Sequence, residues 1–504
     1  MRNTKGARAS VRALRCETLE ARQLLAVVGD PTLALVPADP FDQTLLAPAA
    51  ALDTAATNTD TSSDQLLVGA AALPDPGSAS VFDVRDYGAV GDGLTDDSAA
   101  IIAALSAADA AGGAAVYFSA GTYLVNQTLP LYQNVYHYGD GIGVSIIQQG
   151  ESATGSLFKS AATDIFNFGG FTDLTLRGET SHSYIGIDLS LVTGYLGIYH
   201  IDSIEVDGFD TGYYGAPFEY QNMTTRSTFK NNTHAGAVVF ENPYIYDCSF
   251  INNEVGLTGR LIDAFLVNNV FTGNDIGLAG SSGQRISQST ISSNIFSGNT
   301  QIGMVIDDQN TVNNNLIDSG SLTTPAQYGI FVREDLNVFS GNQFGQPGNS
   351  PHHDFSQAAI YFSDIDRFGN PHAGGTFGYN TIVTENYFVA EAGSAIVAAP
   401  NMSLIGASIL ANTFELHGQA ALVLNANSTS WVRANVISDN HFVLAANMSQ
   451  PVVQIARSFY GNSLQNNTFT VLPGITSAGL VDLDGRGTIF LGNTATGVTI
   501  GDQP

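Results

Sequence analysis

Apolar residues along most of this chain come in short runs broken by polar corners, and the runs repeat. Phe229, Phe250 and Phe271 stand 21 residues apart, each opening an F-x-x-N unit ("FKNN", "FINN", "FTGN"), and "FSGN" follows at Phe296. A glycine-led apolar strand comes next in each unit: "GAVV" at Gly236, "GLTG" at Gly256, "GLAG" at Gly277, "GMVI" at Gly303 and "GIFV" at Gly329. Later units keep an Asn-x-Phe signature at Asn386, Asn412, Asn440 and Asn467, then Asn493, at spacings of 26, 28, 27 and 26. Short strands at such periods, with no helical pattern between them, predict a solenoid of one rung per repeat, each rung burying its apolar face against its neighbours. Stacked asparagines are expected to hydrogen-bond up the column. The repeated Phe and Cys248 are then core, and Trp431 is expected to be packing.

The N-terminal part of the pattern differs. "DYGAVGDGLTDDSAAI" packs four aspartates and three glycines before an apolar run. After the alternating strand "VFDVRDYGAV", Thr95 stands where a helix N-cap belongs, and Asp96 and Asp97 fall where the first turn favours negative charge. The helix runs through "SAAIIAALSAADAA", with Ile101, Ile102 and Leu105 on one face, and Gly112-Gly113 ends it. Strands "AAVYF" and "TYLV" follow. The aspartates are explained by starting a helix, which disfavours a metal site here.

The block from Phe82 to Val125 resembles the opening segment of the pectate-lyase-like superfamily, of the rhamnogalacturonase and epimerase type. The resemblance implies an all-β right-handed parallel β-helix whose end is capped by a short α-helix, with the chemistry on later turns. It also implies association with carbohydrate. Residues 81–504 then form a single domain. Residues 29–80, rich in Ala, Thr, Asp and Pro and without sustained periodicity, read as a disordered linker. Residues 1–28 form a basic leader, and "CETLEARQLLA" resembles an LEPRxLL-type motif of large exported bacterial proteins, with Ala21 where proline is usual. That resemblance implies a secreted or cell-surface location.

Charge narrows the partners. The 504 residues carry 18 Lys+Arg against 46 Asp+Glu, a formal net charge of -28, which repels nucleic acid and anionic membranes. No apolar run approaches the ~20 residues of a membrane span. Cys16 and Cys248 make neither a disulfide framework nor a zinc site. The expected partner is a polysaccharide or oligosaccharide, with no cofactor assigned beyond calcium as a bridging ion; the chain leaves monomer and oligomer open.

On a solenoid, a site appears as a column of unlike residues on successive rungs. Aligning the glycine-led strands brings Asp307, Arg333 and Ser363 into one row and Asp308, Glu334 and Asp364 into another, ~4.8 Å apart per rung. Carboxylates at that pitch repel one another, so at least one should titrate high, as a general acid beside a base or nucleophile must. The same rungs break the repeat: Gly329 to Ala359 spans 30 residues and Ala359 to Ala395 spans 36. The extra length carries His352 and His353, and Asp366 and Arg367, and insertions in solenoids become loops on one face. Asp307, Asp308 and Asp364 are therefore the candidate acid and base groups. Arg333, Glu334, Asp335, Asp366, Arg367, His352 and His353 are candidate sugar-binding residues, with no metal ligands assigned.

Particular reactions of the family do not transfer. Asp307-Asp308 lies at the end of its strand, and neither Gly-His-Gly nor Arg-Ile-Lys, both part of the polygalacturonase pattern, occurs. "GFDTGYYGAPFEY" offers Tyr213, Tyr214 and Glu219 but no histidine where the epimerases have Asp-Pro-His, and Tyr214 is a candidate base for a lyase. The expectation is cleavage of an extracellular polysaccharide at the Asp307–Arg367 ridge, by hydrolysis or lyase chemistry. The rival is a non-catalytic surface, adhesion or glycan-binding β-helix.

Overall fold

The structure, a computed structural model, describes residues 80–497 apart from 162–168, 180–182, 195–196, 198, 219–221, 282, 321–323, 347–353, 364–376, 401, 425–430, 460 and 487. The predicted leader and nearly all of the predicted linker lie outside the described residues. The described chain is a right-handed parallel β-helix, and all of its strand pairings are parallel.

One rung shows the plan. Thr290–Ser292 makes a first face, Ile295–Ser297 a second and Ile302–Ile306 a third. Each strand pairs with its counterpart one repeat on, as Phe271 pairs with Phe296 and Ile306 with Val332. The phenylalanines of the second face stack inside the coil, Phe229 through Phe296 at 5.4, 4.9 and 4.5 Å between ring centroids. The stack is interrupted where Ile317 replaces the ring and resumes from Phe344 to Phe469.

Polar corners are as ordered as the core. An unbroken column of buried side-chain amides runs from Asn269 to Asn493 between the first and second faces. Each Oδ1 accepts from both the backbone N–H and the Nδ2 of the asparagine below, and each Nδ2 also donates to a backbone carbonyl, as in Asn294 and Asn315. Cys248 occupies the same corner one rung earlier, its N–H donating to Asn269 Oδ1, and burial pushes its thiol up to about 12. A shorter column, Asn232 to Asn299, lines the corner between the second and third faces. The residue before each corner asparagine takes a left-handed conformation, for example Asn268, Ser293 and Asn314 at φ 58, 57 and 55. Asn and Asp tolerate that region, whereas it costs other residues with a Cβ about 1–2 kcal/mol. Ala411 holds such a place at φ 53. Ala411→Asn is expected to raise unfolding stability by about 0.5–1 kcal/mol, read from urea midpoints.

The glycines that open the third-face strands have a steric cause. A Cβ at Gly303 would lie 2.6 Å from the carbonyl oxygen of Gly329, and one at Gly277 would lie 2.5 Å from that of Gly303. Rungs approach too closely there for a side chain.

The N-terminal end is capped by helix α1, Ser98–Ala110, which buries Ile101, Ala104, Leu105 and Ala108. Two expectations are corrected here. Thr95 is not the N-cap; it ends inside the strand Asp92–Asp96, and Asp96 and Asp97 precede the helix. The two carboxylates act differently: Asp96 Oδ1 accepts from the N–H of Ser98, the first residue of the helix, at 3.0 Å, whereas Asp97 serves the loop, accepting from Val90 and Gly91 N–H at 2.6 and 3.1 Å, and Asp92 accepts from Leu94 and Thr95 N–H. The strand predicted over "VFDVRDYGAV" is confined to Val81–Asp83, after which Val84–Tyr87 forms a 3-10 turn closed at Gly88.

His137 sits wholly inside these first rungs, stacked on Phe171 at 4.4 Å. Its Nδ1 must carry the proton to donate to the Gly170 carbonyl at 3.1 Å, and Nε2 is buried without a hydrogen-bond partner among the described residues. Burial lowers its pKa to about 4. Because the unfolded chain takes up this proton near pH 6.5, stability is fully present above that value and is lost as pH falls toward 4, by up to about 3 kcal/mol. A urea series between those pH values should show the slope, and His137→Phe should flatten it.

Candidate functional site

Every described element of the predicted ridge sits at the corner between the third and first faces. Arg333 N–H donates to the Ile306 carbonyl and Ser363 N–H to that of Val332, so Asp307, Arg333 and Ser363 follow one another up the stack in the predicted row. The second row differs from expectation. Gln288 N–H bonds to the Asp308 carbonyl and Gln309 N–H to the Asp335 carbonyl, so Asp308 is aligned with Asp335. The corner after Val332 has one residue more than the corner after Ile306 before its ladder asparagine, and Glu334 bulges out to absorb it. Asp364, Asp366, Arg367, His352 and His353 lie outside the described residues.

Depth separates the ridge into two layers. Asp307 is fully buried, and its Oδ2 accepts from Ile286 N–H and from Arg333 Nη2, both at 2.8 Å. Arg333 also reaches the Gln284 carbonyl at 3.4 Å, so this pair ties three segments together beneath the surface. Above it, Asp308, Glu334 and Asp335 are half-buried. Burial, followed by the charge of Asp308, raises the Asp335 carboxyl above the ordinary carboxylate range. Arg285 Nη1 stands 3.9 Å from Asp308 and 3.4 Å from Glu334.

Arg285 escaped the sequence reading, although a signal existed. Gly256 to Gly277 spans 21 residues and Gly277 to Gly303 spans 26. The added length falls between Gly280 and Ile286, which rejoins the third face beside Leu261, and it places Arg285 at the ridge. An aromatic shelf was also missed. Phe331 and Tyr361 are paired on adjacent rungs with rings 5.5 Å apart, and Tyr328 lies 5.3 and 4.7 Å from them. These rings point outward from the third face, two residues ahead of Arg333 and Ser363 in the chain. The odd aromatics in "QYGIFV" and "AIYF" break the inward alternation and could have announced it.

Asp354, beside the predicted histidines, is used by the corner of the next rung: its Oδ2 accepts from Glu391 and Ala392 N–H at 2.6 and 2.8 Å. Among the described residues, no cluster of three or more His, Cys, Asp or Glu is placed to hold a metal ion, and no helix is long and apolar enough to cross a membrane. Trp431 corrects another expectation: it is 42% exposed, with Arg433 over its ring at 4.8 Å.

Further down the third face lies a second polar group. Asp188 is in register with Lys159 on one side and Tyr214 on the other. Its buried carboxylate meets Lys159 Nζ at 3.0 Å and also accepts from Ser156 Oγ and Ser190 N–H. Burial alone would raise this carboxyl, but the hydrogen bonds from Ser190, Lys159 and Ser156 outweigh it and hold it below the ordinary range.

Comparison with known proteins agrees with the coil. Residues 81–331 match the family model described as rhamnogalacturonase A/epimerase, pectate lyase-like. Mannuronan C5-epimerase AlgE1 of Azotobacter vinelandii is 35% identical over 192 residues, which is 34% of this chain and 13% of that protein. Mannuronan C5-epimerase AlgE5 of the same organism is 30% identical over 266 residues, 50% of this chain and 24% of that protein. The chain thus spans a quarter or less of the length of these two relatives. The solved A-module of the epimerase AlgE6 aligns at 17% identity with a TM-score of 0.38, covering 83% of this chain and 100% of that one.

Proposed function

We propose that this protein is an exported polysaccharide-active β-helix that cleaves glycosidic bonds at the corner formed by Asp308 and Asp335. The observation that carries this reading is the alignment of these two carboxylates on adjacent rungs, one of them raised. Asp335, protonated more readily, is suited to protonate the leaving oxygen, and Asp308, with the Arg285 guanidinium 3.9 Å away, is suited to attack or to activate water. The rings of Tyr328 and Tyr361 on the same rungs, packed on the buried Phe331, offer apolar faces for sugar rings. Asp307 and Arg333 act from below, as the buried pair that fixes the corner. The one-rung pitch of ~4.8 Å is nearer the ~5–5.5 Å carboxyl separation of retaining enzymes than the wider gap of inverting ones, so retention is expected.

A second reading is favoured by the Lys159–Asp188–Tyr214 row. Epimerisation and lyase cleavage both begin by removing the C5 proton beside a uronate carboxylate, which calls for a cation at the carboxylate and a base at the proton. Lys159 and Tyr214 are groups of those kinds, and the two relatives described above are named mannuronan epimerases. A panel of neutral and uronate polysaccharides separates the readings. Reducing ends released without unsaturated products, and lost in Asp308→Asn with Asp335→Asn, support the first. Unsaturated uronate absorbance or altered C5 configuration, surviving that double substitution but lost in Lys159→Ala, supports the second. Cleavage unchanged in both variants rejects the two sites.

A further inference from the structure

The row that contains Asp308 and Asp335 does not stop there. Leu336 N–H donates to the Tyr379 carbonyl, Asn380 N–H to that of Ile405 and Gly406 N–H to that of Arg433, so Tyr379, Ile405 and Arg433 continue it one, two and three rungs beyond Asp335. Trp431 lies beside its end, tied by Leu404 N–H to the Trp431 carbonyl and by its own N–H to Ser403 Oγ at 3.0 Å. Trp431 is 42% exposed and Tyr379 is 36% exposed, so both rings present a face to solvent along this row. The Arg433 guanidinium lies 4.8 Å from the indole centroid, a cation–π contact that sets the tilt of the ring. Among the described residues no carboxylate pairs with Arg433, although the chain carries 46 Asp+Glu against 18 Lys+Arg. Its donors therefore remain suited to an anionic partner, and a planar guanidinium engages a carboxylate with two parallel bonds.

We propose that Trp431, Arg433 and Tyr379 form a distal glycan subsite that takes a uronate residue, with the indole against the sugar's C–H face and Arg433 on its carboxylate. The direction of the bound chain, toward Asp335, rests on the cleavage reading above; the binding itself does not. Three rungs at ~4.8 Å put this subsite about 14 Å from the acidic corner. That exceeds the ~8–10 Å screening length of physiological salt, so the corner does not repel a carboxylate held here.

The chain contains one Trp, so its tryptophan emission reports Trp431 alone. Short oligomannuronate is titrated into the full-length Asp308→Asn, Asp335→Asn protein, which removes cleavage at the acidic corner, with neutral oligomannose of equal length as control. The expected result is a saturable emission change with oligomannuronate that weakens about tenfold or more in an added Arg433→Gln. Calorimetry should show the same loss for Trp431→Ala, with circular dichroism and urea midpoints confirming the fold. Equal binding of the neutral oligomer, or affinities unmoved by both substitutions, overturns the subsite. Uronate binding lost in Arg433→Gln, in a protein that cleaves no glycan, upholds the subsite and rejects the cleavage reading. Cleavage that needs Asp335 but is indifferent to Trp431 and Arg433, in both KM and binding, does the reverse.

Discussion

Asp335→Asn is expected to slow glycan cleavage by about 10²–10⁴-fold, the usual worth of a placed general acid. The pH profile should change with it. In the wild type the alkaline limb reports Asp335, which must be protonated. Burial and the charge of Asp308 raise Asp335, so the alkaline limb should fall above the ordinary carboxylate range. Asp335→Asn should remove that limb, and substrates with a good leaving group, which need no protonation, should recover much of the rate. Asp308→Asn acts differently: it removes the neighbouring charge, so the carboxyl of Asp335 should titrate lower while activity is lost on every substrate. A pH series of reducing-end release, with Tm measured alongside, reads both effects. An alkaline limb that persists unchanged in Asp335→Asn would remove Asp335 from the acid role.

The largest loss of stability is expected from the asparagine column. Asn315 Oδ1 accepts from Asn294 N–H and Nδ2, at 2.8 and 3.0 Å, and its Nδ2 donates to the Ile291 carbonyl and to Asn342 Oδ1, both at 2.9 Å. Asn315→Leu matches the volume but leaves those four partners short of a bond in the interior. Asn342 Oδ1 and Asn294 Nδ2 each keep another bond, to the residue 315 N–H and the Leu266 carbonyl, so the cost is about 2–4 kcal/mol. Asn315→Asp tests the cause, since a carboxylate keeps the acceptor and loses the donor. It should be intermediate near pH 4 and worse at neutral pH, where a charge is buried beside Asn342 Oδ1. Because each rung is stabilised by its neighbours, urea unfolding should shift to lower midpoint and broaden, as rungs on either side of the defect uncouple. A variant with wild-type midpoint would show that the amide column contributes little.

Much of the architecture was legible because the coil repeats a local rule. Phe229, Phe250 and Phe271 stack where their spacing put them, Asn386 to Asn493 form the column their spacing implied, and Gly303 and Gly329 mark strands whose rungs approach too closely for a Cβ. Each of these follows from one residue meeting its own counterpart, so periodicity suffices. Thr95 does not cap the helix because Asp92 engages its N–H and hydroxyl, and Asp96 takes the first helical N–H instead, a local choice that no spacing rule describes. Trp431 was taken for core for a similar reason, since its side of the strand depends on a corner without a fixed length.

The sequence by itself determined a stacked coil of short strands with an apolar interior, amide-lined corners and a helical cap at its first end, because each of those properties is set within one repeat. Which carboxylates meet was decided only by the tertiary structure. A single extra residue at the corner after Val332 pushes Glu334 outward and aligns Asp335 with Asp308, and a short loop brings Arg285 to them from an earlier rung. Register at an irregular corner is set by where the flanking strands and the ladder asparagine must sit, so it is a property of neighbouring rungs together and is not written in any one of them.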